Sequence, residues 1–143
     1  MVVNDGHYSA HVELMADWRI KGEYDKAIAD YKKAIELNPR CVDAYSSLAF
    51  LQASCLDEKY RDGKKALENG KQACEMSGGK DGDALDSLAA AYAENGDFDR
   101  AVEQETKALK LAMTDRSKKK FQARLELYQQ KKPYRHDPKP EKD

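Results

Sequence analysis

His7 and His11 stand four residues apart, the spacing at which two imidazoles on one helical turn can reach a single metal ion, and Asp5 and Glu13 stand nearby. Nothing in the sequence fixes those carboxylates. His11 also occupies a position that recurs further along as Tyr45 and Leu85, so core packing is the preferred reading. His136 stands alone, and no histidine lies in an H-E-x-x-H or similar motif. Cys41, Cys55 and Cys74 are odd in number and form no C-x-x-C pair; they read as small buried apolar side chains in a reducing compartment. The glycines of SGGKDGD (77–83) lack the G-x-x-x-x-G-K-[ST] spacing that cradles a phosphate and read as a turn. The run RSKKK (116–120) has no interleaved aromatics for stacking on bases and reads as a solvated face, so no nucleic acid is expected. With no nucleophile–base constellation legible, the chain is expected to be non-enzymatic, with no catalytic residues, metal or cofactor.

The elements that would position any binding surface are helices, and they repeat. GEYDKAIADYKKAIEL (22–37) aligns with GDFDRAVEQETKALKL (96–111), and a middle copy, DGKKALENGKQACEM (62–76), places Ala66, Leu67, Ala73, Cys74 and Met76 beside Ala27, Ile28, Ala34, Ile35 and Leu37. The segments before these align too: Leu14-Met15, Leu48-Ala49 and Leu88-Ala89 match, and Trp18 and Tyr92 share an aromatic position where the middle copy has Gln52. The middle unit is longer because of a loop, SCLDEKYRD (54–62), between its helices. Each unit reads as helix, turn, helix with one apolar stripe per helix. Gly22 and Gly96 fall at the reversals, where a positive φ suits the chain, Asp25 and Asp99 follow as candidate caps, and Pro39 ends the first unit. The paired alanines fall where the two helices of a hairpin must cross closely.

Charged residues make up 36% of the 143 residues and mean hydropathy is -0.89, yet 41% hydrophobic content is too much for a wholly disordered chain. Charge is unevenly spread. Residues 1–115 carry 15 Lys+Arg against 22 Asp+Glu, and residues 116–143 carry 10 against 4, an acidic body with a basic end. The first residues show no basic stretch followed by an apolar one, and no apolar run reaches the length of a membrane span. The chain is therefore expected to be soluble and cytoplasmic with no membrane partner, unless it is a domain of a longer exported protein.

On these residues the chain resembles the tetratricopeptide-repeat (TPR) family. The family pattern of a large residue, Leu-Gly/Ala and Tyr in one helix, then Ala, an aromatic, Ala and Pro in the next, is met in the first copy by His11, Leu14, Met15, Trp18, Ala27, Tyr31, Ala34 and Pro39. The third copy meets it with Leu85, Leu88, Ala89, Tyr92, Gly96, Phe98, Ala101 and Ala108. The middle copy departs, with Gln52 and Gly70 for aromatics and Gly78 for Pro. The resemblance, bacterial in type, covers about residues 8–132 and implies an all-α, right-handed solenoid of three hairpins (about 8–41, 42–81 and 82–115). A capping helix at about 117–131 follows, carrying Phe121, Leu125 and Tyr128 on one stripe. Residues 1–7 read as an extension and 133–143, with Pro133, Pro138 and Pro140 among charges, as a disordered basic tail.

The resemblance also implies a protein-interaction scaffold whose first helices line a concave groove. Carried over position by position, that groove is Val12, Ala16 and Arg19; Asp43, Ser47, Phe50 and Ser54; and Asp83, Asp86, Ser87, Ala90 and Glu94. Family members that grip the acidic C-termini of chaperones use Lys and Asn, Asn, then Lys and Arg at places held here by Val12 and Ala16, Ser47, then Asp83 and Ser87, so an acidic chaperone tail is a poor ligand. A basic or neutral, partly apolar peptide or helix suits the surface better, with Phe50 as its apolar anchor; the same acids would equally serve to keep the face soluble. The alternative to partner binding is self-association into a homo-oligomer through the uncapped N-terminal hairpin.

Overall fold

The second helix of each repeat unit buries the same three positions, spaced i, i+4 and i+7. In the computed structural model, which describes residues 23–136, these are Ala27, Tyr31 and Ala34 in α1 (Tyr24–Leu37), Ala66, Gly70 and Ala73 in α3 (Gly63–Met76), and Ala101, Glu105 and Ala108 in α5 (Phe98–Leu111). One residue per turn on one face is what a 3.6-residue period dictates when a helix lies with one side against a neighbour. The alternating partners are α2 (Val42–Ser54) and α4 (Gly82–Glu94), each with nine buried residues. They are buried nearly all round because each is flanked on several sides: α2 packs on α1, α3 and α4, and α4 on α2, α3 and α5. A last helix, α6 (Asp115–Gln129), lies on α5 and seals its stripe with Phe121, Leu125 and Tyr128. Among the described residues there is no strand, and six helices pack in adjacent pairs, the helical solenoid expected from the repeat. The expected first helix of the first hairpin, with Leu14, Met15 and Trp18, lies outside the described residues.

All six alanines of the buried triplets are fully inaccessible. A methyl group fills the gap and nothing larger fits without displacing the facing helix. Ala101→Leu is therefore expected to cost about 1–3 kcal/mol through overpacking, read from the urea midpoint, whereas Ala123→Leu on the exposed side of α6 should cost far less.

The central member of the triplet is where the copies differ. Tyr31 fills the site with its own ring. At Gly70 an added Cβ would stand 3.1 Å from Leu88 Cα, so α4 occupies the room that an aromatic takes in the first copy. The Gln52 that replaces the preceding aromatic is satisfied across the hairpin, accepting from Asn69 Nδ2 at 2.8 Å. The third copy places a carboxyl there, Glu105, and that choice shapes the site described below.

Helix ends explain the turns. Gly96 has φ 81°, in the left-handed region that glycine tolerates, and reverses the chain between α4 and α5. The caps differ from the sequence expectation. Asp97, not Asp99, caps α5 by accepting from Arg100 N, because the helix begins at Phe98 and leaves Asp99 inside its first turn. Asp25 likewise sits inside the first turn of α1, behind Glu23, which makes no side-chain cap. Asp62, Asp81 and Thr114 cap α3, α4 and α6. Pro39 follows the end of α1 as expected.

Candidate partner-binding groove

Helix periodicity puts Asp43, Ser47, Phe50 and Ser54 on one face of α2, and Asp83, Asp86, Ser87, Ala90 and Glu94 on one face of the adjacent α4. Val12, Ala16 and Arg19 lie outside the described residues. The shared face has two unlike halves. At the start of the helices Asp43 and Asp83 are exposed and Ser47 is half-buried. Partial burial raises the Asp43 carboxyl above its ordinary range, and the charges of Asp81 and Asp83 raise it further. Asp83 is raised by burial as well, and Lys120 offsets part of that. This half is open and acidic.

The other half is covered. Phe50, Ser54, Asp86, Ser87 and Ala90 are buried, and Glu94 is half-buried. The cover is the chain's own end. Past α6, Lys131 N donates to Tyr128 O and Lys132 N to Leu127 O, both at 3.0 Å, the paired bonds of a helix terminus closed by a left-handed residue. That residue is Lys131, with φ 58°, which costs about 1–2 kcal/mol for a side chain other than glycine. The turn directs residues 133–136 back across α2 and α4. The sequence reads 133–143 as a disordered tail. Residues 134–136 lie instead against the shared face of α2 and α4, because a left-handed turn and an aromatic side chain bring them there, while 137–143 fall outside the described residues.

Tyr134, Arg135 and His136 each meet a specific group. The Tyr134 ring lies 5.7 Å from that of Phe50 and covers the Arg124 guanidinium, 4.4 Å from the ring centre. Arg135 Nη1 pairs with Glu94 Oε1 at 2.8 Å and approaches Ala53 O at 3.4 Å. His136 N donates to Ser54 O at 2.7 Å, a parallel bridge with Cys55, and its ring meets Phe50 edge-on at 5.5 Å. Glu94 is held from its other side by Arg61 Nε at 3.7 Å. Arg61 belongs to the loop that lengthens the middle repeat and is anchored by donating to Cys55 O at 2.8 Å. The insertion thus reaches the same face through Arg61.

Beneath Tyr134 lies a buried polar cluster drawn from three helices: Asp86 on α4, Glu105 on α5, and Arg124 and Tyr128 on α6, none more than 6% exposed. Arg124 Nη1 donates to Asp86 Oδ2. Its guanidinium is stacked between Phe50, 4.7 Å away, and Tyr134. Burial, reinforced by the Asp86 charge, pushes the Glu105 carboxyl up to about 11. Neither oxygen of Glu105, nor Asp86 Oδ1, has a donor when both groups are carboxylates. A retained proton on Glu105 relieves the clash of two carboxylates, since its O–H then donates to Asp86. Asp86 is accordingly a buried ion-pair member and not a groove-surface acid, and Phe50 is a covered anchor.

Sequence reasoning missed Glu105, Arg124, Tyr134 and Arg135. Two of them carry a signal. Glu105 stands in register with Tyr31, and Arg124 falls on the apolar stripe between Phe121 and Tyr128. The tail residues carry none, as their composition is that of a solvated end.

Among the described residues no group of three or more His, Cys, Asp or Glu could hold a metal, and no helix is long and apolar enough to cross a membrane. His7 and His11 lie outside the described residues. Cys41, Cys55 and Cys74 are free thiols, all raised by burial, Cys74 to about 11, which favours the protonated form.

A family described as TPR repeat matches residues 19–54, a stretch that takes in α1 and α2. No curated protein matches the chain. The matched segment and the helices packed in adjacent pairs together fit a tetratricopeptide-repeat protein.

Proposed function

We infer that the chain is a non-enzymatic scaffold that holds a segment of a protein partner along the shared face of α2 and α4. TPR repeats generally mediate protein–protein interaction. The observation that supports this face as the site is that it already carries a stretch of extended polypeptide, residues 134–136, through a backbone hydrogen bond, an aromatic anchor and an ion pair. The open acidic half, with Asp43 and Asp83, favours a basic or neutral segment, each rim charge contributing about 0–1 kcal/mol and acting chiefly on association rate.

Photo-crosslinking side chains placed at Ser47 or Asp83 should capture partner protein, and the same group at Lys64, on the exposed side of α3, should not. Asp43→Lys/Asp83→Lys should reduce capture from Ser47 severalfold. Equal capture from Lys64 and Ser47 would remove the groove assignment.

A further inference from the structure

We propose that the covered half of this face reads an extended partner segment in which an aromatic residue is followed by a basic one, and that Tyr134–Arg135 is the chain's own copy of that signal, occupying the site until a partner displaces it. The inference rests on the groove reading above and adds the partner's chemistry and a built-in competitor.

The receptor half is also held by contacts that do not involve the tail. Arg124 is fixed from below by Asp86 and flanked by Phe50, which together offer a flat cationic and aromatic platform sized for one ring. Glu94 is held by Arg61 of the inserted loop and presents its second oxygen to the incoming cation. Ser54 O lies past the end of the α2 hydrogen-bond ladder and accepts from the occupant's backbone at 2.7 Å. Ring platform, carboxylate and carbonyl thus read three consecutive residues in order: an aromatic, a base, and a residue that donates its backbone N–H. An acidic residue in the second place would face Glu94 and be excluded.

The tail satisfies this reader but is lightly fastened. Its contacts are made by residues 134–136, and its base is the left-handed Lys131. Tethering compensates, because a short link places the tail at an effective concentration on the order of millimolar. Such an occupant outcompetes weak encounters and yields to a partner that adds contacts along the open acidic half at Asp43, Ser47 and Asp83.

The test uses the full chain and a fluorescent peptide of residues 131–143, followed by anisotropy. The Tyr134→Ala/Arg135→Ala chain should bind this peptide at least about tenfold more tightly than the unaltered chain, because the tethered competitor is gone. A peptide with alanine at both places should not bind, and adding Glu94→Gln to the altered chain should weaken binding severalfold. In the unaltered chain, millimolar peptide should speed hydrogen exchange at the His136 amide, a readout that needs no substitution. Equal binding by both chains, binding by neither, or equal binding of the alanine peptide overturns the proposal. So does a concentration-dependent dimer that the double substitution abolishes, which would place the tail in a second copy. If the Ser47 and Asp83 crosslinks persist while the peptide fails, the groove stands and only the aromatic–basic reading falls.

Discussion

Asp86→Ala should destabilise the fold by about 3–5 kcal/mol, the largest loss expected from any single polar substitution among the described residues. Arg124 is 6% exposed and carries a full charge between two aromatic rings, and Asp86 is the group that compensates it. Removing Asp86 leaves that charge desolvated and also strips Glu105 of its acceptor. The exposed pair Lys107–Glu103, at 3.5 Å, offers the contrast: water screens it, so Glu103→Ala should change stability by about 0–1 kcal/mol. Urea unfolding of both variants at pH 7 makes the comparison. An Asp86→Ala chain that unfolds within about 1 kcal/mol of Glu103→Ala would show that Arg124 finds solvent, and the platform assigned to it would be lost.

The second large effect is a dependence on pH traced to Glu105. Its carboxyl is raised in the folded chain, by burial first and the Asp86 charge second, above the ordinary value of about 4.5 that it regains on unfolding. Between those two values the folded chain holds a proton that the unfolded chain releases. The contribution of Glu105 to stability is therefore full below the unfolded value and is lost as pH rises, by up to about 1.4 kcal/mol per pH unit. Glu105→Gln keeps the shape and supplies an N–H donor to Asp86 but cannot titrate. Relative to this variant, the unaltered chain should lose up to about 4 kcal/mol between pH 6 and pH 9, with every other titrating group common to both. Denaturant midpoints at three pH values measure it. Parallel curves for the two proteins would mean that Glu105 ionises freely and that the cluster is hydrated.

The two predictions concern one architectural fact. The repeat's second helix has a central buried position filled by Tyr31, by the close approach of α4 at Gly70, and by Glu105 in turn. Of the three, α5 is the helix that packs along α6, which brings Arg124 and Tyr128 to Glu105. A carboxyl in a core is tolerated there because α6 furnishes a polar setting that a further repeat would not.

Much of this was legible from residue order. Local periodicity placed the helices, the paired alanines marked the close crossings, and Gly96 marked a reversal, because each is set by neighbours within a few residues along the chain. Cap positions were misplaced by two residues at Asp99 because the start of a helix depends on which side chain reaches a free N–H, a matter of local geometry that spacing alone leaves open.

What the sequence determined by itself was the solenoid of paired helices and the face that α2 and α4 share, since both follow from a 3.6-residue period acting on apolar and small residues. What only the tertiary structure decided was that half of this face is already filled. That depends on the left-handed turn at Lys131, on Arg124 meeting Asp86 from 38 residues away, and on Arg135 reaching Glu94. Those are contacts between surfaces that meet after the helices have packed, and no periodicity in the chain encodes them.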